Sequence, residues 1–332
     1  MDRPLVAVVL AGGTGTRLYP ATRSDRPKQF QSFGGERSML AETVRRAGFA
    51  DEVYVLTRPA FAESVREHAP SAAILTEPAP RDTGPALVYA AHRIRKQLGD
   101  CVLYCLPSDH HVDGDFTATA RQACRIAIDT GSLVTVGVEP TRVDTGYGYI
   151  EPGVDHGDYF DVASFTEKPD TDTAARYVDE GYLWNSGTFA WTPDTFLASA
   201  RESELEPLVD ALGAGDPKRG FETVPSVSVD YAVLESAADV TVVPADYEWD
   251  DLGSWDAFDR LLESDEEGNV ALGDAMTIDA SENVIASDGH VAAVGVDDLV
   301  IASYDNRTLV VPKAQAQRVR DVVEQLREDD AF

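Results

Sequence analysis

Five short apolar runs, separated by stretches of helical periodicity, limit what the first half of this chain can fold into. Leu5–Ala11, Glu52–Thr57, Ala73–Glu77, Val102–Pro107 and Leu133–Val138 are rich in Val, Ile and Leu. Runs of that kind fit parallel strands covered on both faces. Between them, Ser38 is placed to cap a helix over Met39–Ala47, and Gly48 to end it. Pro85–Leu98 sets Leu87, Ala90, Ala91 and Ile94 on one side and meets Gly99, while Phe116–Asp129 stops before Gly131. The alternation predicts a doubly wound α/β sheet, in which ligands gather beyond the carboxyl ends of the strands. The loops to inspect are therefore Gly12–Phe30, Pro78–Gly84 and Ser108–Gly114, the ones richest in Gly, Pro and charge.

From Thr145 onward the pattern is mixed. Aromatic-rich strands are expected over Tyr147–Ile150 and Trp184–Trp191, and helices over Asp172–Glu180 and Asp230–Ser236. After the acidic segment Ser264–Gly268, residues Asn269–Pro312 read as many short Val/Ile/Ala strands punctuated by Gly and Asp. A terminal amphipathic helix follows, with Val319, Val322, Val323 and Leu326 on one face. A boundary near Glu266 divides a larger domain, 1–266, from a small β-rich domain, 267–332.

Charge narrows the partners. The 332 residues include 58 acidic and 28 basic side chains, a net charge of −30, which repels nucleic acid and anionic membranes. The carboxylates run through the whole chain, as on a surface suited to concentrated salt, where repulsion is screened within a few ångströms. Only five lysines occur: Lys28, Lys96, Lys168, Lys218 and Lys313. The apolar run Leu5–Ala11 is too short to span a bilayer or act as a signal sequence. Cys101, Cys105 and Cys124 show no paired spacing, which fits a reducing cytoplasm.

The first inspected loop, VVLAGGTGTRLYPATRSDRPKQF over Val8–Phe30, fails two familiar phosphate patterns. Counted from Gly13 and Gly15, the third slot of G-x-G-x-x-G falls on Leu18, which disfavours an NAD-linked oxidoreductase. The nearest lysine, Lys28, follows a proline thirteen residues after Gly15, which breaks a Walker A loop. The loop still reads as a phosphate cradle. Gly12, Gly13 and Gly15 let backbone amides approach an anion, and Arg17 and Lys28 add charge, one as a fork and one as a point donor.

Asp109, in LPSDHH at the end of Val102–Pro107, is placed to ligate Mg²⁺ that also touches phosphate oxygens. A partner carboxylate must come from far along the chain, and WDDLGSW offers Asp250 and Asp251. His110 and His111 beside Cys101 and Cys105 fit no zinc spacing, and the two cysteines share one face of an apolar strand. No G-x-S-x-G elbow occurs. FTEKPD and WNSGTFAW place Glu167, Lys168 and Asn185 on strand-like segments among aromatics, a setting suited to sugar hydroxyls, with Lys168 suited to a second phosphate.

In this order, AGGTGTRLYPATRSDRPKQF, EPAPRDTGPA, PSDHH, TGYGYI, FTEKPD, WNSGTFAW, SVDYAVLE and WDDLGSW resemble the sugar-1-phosphate nucleotidyltransferases. PKQF and WNSG resemble the mannose-1-phosphate guanylyltransferases among them. The tail from Val294 is similar to that family's carboxyl-terminal region, a short β-helix-like dimerisation module. The resemblance covers essentially the whole chain. It implies a mixed, mostly parallel Rossmann-like sheet and a homodimer through residues beyond Glu266. It also implies transfer of GMP from GTP to mannose 1-phosphate, giving GDP-mannose and pyrophosphate with Mg²⁺. The isomerase domain of longer bifunctional relatives is not expected. Transfer to another sugar or from another base, and a non-catalytic sugar-nucleotide-binding relative, are the alternatives.

Carried over by resemblance, Gly12, Gly13, Thr14, Gly15, Arg17 and Lys28 hold the triphosphate, and Asp109 and Asp251 hold the magnesium, with Asp250 the neighbouring alternative. Glu77, Arg81, Asp82 and Thr83 lie by the base. Gly146, Glu167, Lys168, Asn185 and Asp230 serve the sugar phosphate. Tyr19 stands where tryptophan is common in the family, and Asp82 where asparagine is common.

Overall fold

The computed structural model describes residues 3–329 and 332. Its contacts fall into two compact units: Met1–Gly12, Thr43–Ser108 and Val112–Trp249 make one, and Gly13–Glu42, Asp109–His111 and Asp250–Phe332 the other.

The first unit is built on β1 (Leu5–Leu10), β2 (Glu52–Thr57), β3 (Ala73–Thr76), β4 (Val102–Pro107), β5 (His111–Gly114), β6 (Leu133–Val138), β7 (Tyr149–Asp155), β8 (Phe160–Thr166), β9 (Leu183–Trp191), β10 (Val240–Pro244) and β11 (Tyr247–Asp250). Nine of these form one sheet in the order β3-β2-β1-β4-β9-β6-β10-β8-β7, and β5 pairs with β11 in a small second sheet. The β3-β2-β1-β4 half is parallel throughout. β9 then runs antiparallel between β4 and β6, so the first-half strands do not all adjoin one another. The result is a mixed, mostly parallel doubly wound sheet. All five apolar runs of the first half are strands, with ends shifted by at most one residue.

Helices close over the sheet where the sequence signals stand. Ser38 Oγ accepts from Ala41 N–H at 3.2 Å at the start of the helix Met39–Arg46. Gly99 and Gly131, at φ 76° and 69°, end the helices Thr83–Leu98 and Phe116–Thr130. Cys101 and Cys105 join Leu103, Phe189 and Trp191 in the main core; burial raises both thiols, so they pack as small apolar groups. A second cluster gathers Tyr147, Tyr149, Tyr177, Tyr182, Trp184 and Trp249.

In the second unit, β12 (Val270–Ile278), β13 (Val284–Val294) and β14 (Leu299–Tyr304) are parallel neighbours without intervening helices. Val270 faces Val284, which faces Val300, so each rung advances the chain by 14 to 16 residues. That spacing makes a β-helix-like coil, closed by the antiparallel β15 (Arg307–Pro312). Asn269 and Asn283, both buried, stack at the turn of successive rungs: Asn283 Nδ2 donates to Asn269 Oδ1 at 2.9 Å and to Val296 O at 2.9 Å. A buried amide ladder of this kind satisfies the main chain where the coil bends. The terminal helix, Val319–Glu328, buries Val319 and Val323 beside Leu18, Tyr19, Trp255 and Phe258, and Trp255 Nε1 donates to Tyr19 O at 2.9 Å.

Candidate active site

The second unit contains most of the cationic loop. Gly15 has φ 58°, a left-handed conformation, and its open side faces the stem of Lys28: a β-carbon there would stand 2.4 Å from Lys28 Cβ. Both constraints call for glycine. Buried Gln29 donates through Nε2 to Gly13 O at 2.9 Å, and buried Thr22 donates to Gly15 O at 2.6 Å. With its carbonyls held from inside, the Gly13–Gly15 segment keeps a fixed shape without regular structure.

Lys28 is 4 % exposed. Its ammonium donates to Asp109 Oδ2 at 2.9 Å and to the main-chain oxygen of Asp251 at 2.6 Å. Asp109 lies two residues past β4, and Asp251 directly after β11, so the pairing of β5 with β11 fastens both segments near one another. Burial pushes the Asp109 carboxyl up, but Lys28 and His110 outweigh it and hold the group below the usual carboxylate range despite the nearby Asp251. Arg17, partly exposed, reaches Asp251 Oδ2 at 3.5 Å, and Asp251 Oδ1 accepts from Gly253 N–H at 2.9 Å.

The two candidates in WDDLGSW have different environments. Asp250 is 3 % exposed; its Oδ2 accepts from Arg260 at 2.8 Å, and its Oδ1 caps Leu252 N–H at 2.8 Å. Asp251 carries the carboxylate that Asp109 feels. Two carboxylates suit a small hard cation that completes its shell with water and phosphate oxygens. Among the described residues no group of three or more His, Cys, Asp and Glu could hold a metal ion.

In the first unit, Glu77 follows β3 and is 5 % exposed. Burial, with Asp82 adding and Arg58 opposing, pushes its carboxyl up to about 7. Arg81, Asp82 and Thr83 are fastened to the scaffold: Arg81 Nε donates to Phe221 O at 3.1 Å, Asp82 Oδ1 accepts from Thr83 N–H at 2.7 Å, and Thr83 Oγ1 accepts from Val229 N–H at 3.0 Å. Asp82, at φ 69°, caps the helix that starts at Thr83.

Asn185, on β9, donates through Nδ2 to Asp230 Oδ1 at 2.7 Å, while its Oδ1 accepts from Thr135 Oγ1 at 3.2 Å and Gly187 N–H at 3.1 Å. Asp230 opens a single π-helical turn, Asp230–Leu234, where the sequence predicts a longer helix ending at Ser236. Burial, with Glu167 beside it, pushes the Asp230 carboxyl up to about 6 against the hydrogen bond from Asn185. Glu167 and Lys168 lie just past β8 instead of on a strand; Lys168 has φ 47°, and its ammonium pairs with the Glu167 carboxylate. Gly146 takes a local role, its N–H donating to Asp144 Oδ1 at 2.8 Å. The neighbour that makes room for this group is Gly148, which the sequence does not single out: a β-carbon there would lie 2.4 Å from Glu167 Oε2 and 3.4 Å from Asn185 Cβ. Gly148 in TGYGYI and Gln29 in PKQF both sit within recognisable motifs, but a single sequence does not show which glycine or amide is packed against what.

The nucleotidyl transferase family model matches residues 6–268, and the model of the mannose-phosphate isomerase/GMP-like β-helix domain matches residues 273–326. The chain is 38 % identical to a mannose-1-phosphate guanylyltransferase of Klebsiella pneumoniae, over 98 % of this chain and 74 % of the relative. It is 36 % identical to the xanthan biosynthesis protein XanB of Xanthomonas campestris pv. campestris, over 97 % and 73 %. Among solved structures, one described as mannose-1-phosphate geranyltransferase from Thermus thermophilus superimposes with a TM-score of 0.92 at 34 % identity, covering 98 % of this chain and 99 % of the other.

Proposed function

This chain belongs to the nucleotidyl transferase family, and on that premise we propose that it transfers GMP from GTP to mannose 1-phosphate, releasing pyrophosphate and giving GDP-mannose. Its substrates are a sugar phosphate and a nucleoside triphosphate. The relatives named for guanylyl transfer to mannose 1-phosphate, matched over nearly all of this chain, support that choice of sugar and base.

The observation that carries the chemistry is the buried ammonium of Lys28 between Asp109 and the Asp251 main chain. The nucleophile, a sugar phosphate, is largely dianionic at neutral pH because its second pKa is about 6. It needs no general base, and the assigned residues include no activated histidine. The barrier is electrostatic: an anion must meet an anionic α-phosphorus in line. Lys28 and Arg17 supply positive charge toward the triphosphate and the departing pyrophosphate, and the amides of Gly13, Thr14 and Gly15 add fixed dipoles.

A divalent cation is a general requirement of the family, and we assign Mg²⁺ to Asp109 and Asp251. Bound there, it supplies charge neutralisation between the two phosphates. Asp109, whose carboxyl is held below the usual carboxylate range, offers an oxygen ligand. Gly12 stays with the triphosphate loop; Lys168 is assigned to the sugar phosphate, with Asn185, Asp230, Glu167 and Gly146 around the sugar, and Glu77, with the segment Arg81–Thr83, to the base side. The β-helix-like residues are assigned to a homodimer contact, and the whole enzyme to the cytoplasm. Among the described residues no helix is long and apolar enough to cross a membrane.

Pyrophosphate release, measured with four nucleoside triphosphates against several hexose 1-phosphates in molar KCl, tests the reading. GTP with mannose 1-phosphate is expected to lead. Comparable rates with another sugar or base would replace it, and no release with any pair would point to a binding protein.

A further inference from the structure

Lys28 carries a positive charge suited to phosphate, yet its observed partners are protein oxygens. The side chain is 4 % exposed, its stem fills the space that Gly15 leaves open, and its ammonium is spent on Asp109 and on the Asp251 carbonyl. A cation bound by Asp109 and a cation carried by Lys28 draw on the same carboxylate. Two positive charges within a few ångströms of one carboxylate oxygen repel each other, and the repulsion is strong where water is partly excluded.

We propose that Lys28 is a built-in competitor for the divalent cation, so that nucleotide and metal binding are coupled through its exchange of partners. In this scheme the ammonium pairs with Asp109 until a triphosphate offers it phosphate oxygens; the turn toward phosphate then frees Asp109 for the cation. The inference rests on the assignment of Asp109 and Asp251 as the cation's ligands. The coupling is reciprocal, as any linkage of binding equilibria must be: nucleotide raises metal affinity by the factor by which metal raises nucleotide affinity. The enzyme therefore loads the metal together with nucleotide and resists loading it alone.

Arg17 does not duplicate the effect. It is partly exposed, and its guanidinium stands 3.5 Å from Asp251, whereas Lys28 is buried and 2.9 Å from Asp109. A solvated charge at the longer distance is screened and moves away at little cost.

The test is Mn²⁺ binding followed by electron paramagnetic resonance, on wild-type protein and on Lys28→Met, without nucleotide and then with a non-hydrolysable GTP analogue. Without nucleotide, Lys28→Met is expected to bind Mn²⁺ roughly 5- to 150-fold tighter than wild type, the usual span of a coupling between sites. With the analogue, the gain in metal affinity is expected to shrink by the same factor. If Lys28→Met binds the ion no tighter than wild type, while the analogue still recruits Mn²⁺ to wild type, the competition is overturned and the site assignment stands. If wild type recruits no Mn²⁺ even with the analogue, both fall.

A measurement on wild type guards against a misfolded variant. Lys28 is one of five lysines, so its ammonium signal is separable in a ¹⁵Nζ spectrum. The analogue added without metal is expected to shift that signal, and a signal that stays put overturns the exchange of partners.

Discussion

Glu77 lies directly against Gly12: a β-carbon on Gly12 would stand 3.1 Å from Glu77 Oε1. The carboxylate is thereby pressed against the first glycine of the loop, at the carboxyl end of β3, with almost no exposure. Guanine presents two adjacent donors, N1–H and the 2-amino group, and a carboxylate accepts from both. Glu77→Gln exchanges one acceptor for a donor. The kcat/KM for GTP is expected to fall roughly 10- to 100-fold, the worth of a charge-assisted hydrogen bond of about 1.5–3 kcal/mol. Kinetics with GTP, ITP and ATP check it, because ITP lacks the 2-amino group and its loss should be smaller.

The same residue has a stability signature. Its folded carboxyl titrates near 7, against about 4.3 in an unfolded chain. Between those values the folded state holds more protons than the unfolded state, so stability falls as pH rises through that window. Glu77→Gln is expected to raise Tm at pH 8 and to change it far less at pH 4, where the glutamic acid is neutral when folded and mostly neutral when unfolded. Melting curves at the two pH values decide it.

Neighbouring aspartates should fail in different ways. Asp251→Asn is expected to cut turnover by about 100-fold or more, as loss of a transition-state charge contact does, and to raise the Mg²⁺ concentration for half-maximal rate. Its Tm should hardly move. Asp250→Asn breaks the contact with Arg260, which keeps Asp256 at 2.8 Å and is one-third exposed. The expected loss is about 1–3 kcal/mol, the cost of an unmade polar contact rather than of a fully buried ion pair. Its Mg²⁺ dependence should match wild type. Denaturant melts and magnesium titrations on the pair separate the two roles.

Asn185 and Asp230 form the test on the sugar side. Asn185→Ala removes the 2.7 Å donor that opposes the rise in the Asp230 carboxyl. The KM for mannose 1-phosphate is expected to rise about 10-fold, with the KM for GTP little changed. The ascending limb of the pH profile for the sugar phosphate should move to higher pH, since Asp230 then keeps its proton longer. A rise confined to the GTP KM would contradict the assignment.

Legibility in the sequence follows the range of the interactions. β2, β4 and β6 are readable residue for residue, because a buried parallel strand is a local run of Val, Ile and Leu. β8 and β10 are not: Phe160–Thr166 is half-exposed and carries Asp161, and Val240–Pro244 is only five residues long. The antiparallel insertion of β9 between β4 and β6 leaves no trace in β9 itself. A boundary near Glu266 is one cut along the chain, whereas the second unit gathers 13–42, 109–111 and 250–332, with 13–42 joined to 250–332 across more than 200 residues. Asp250 and Asp251 are indistinguishable as letters; the partner Arg260 separates them. Lys28 is legible as a cation in a glycine loop, but its burial against Asp109 depends on residues 81 positions apart.

The most direct test is anomalous diffraction from a crystal grown with Mn²⁺ and GDP-mannose. One manganese peak is predicted within bonding distance of carboxylate oxygens from both Asp109 and Asp251, with the Lys28 ammonium turned toward a phosphate of the product. A peak bound to Asp250 or to neither aspartate, or product lodged away from the Gly13–Gly15 segment, would contradict it.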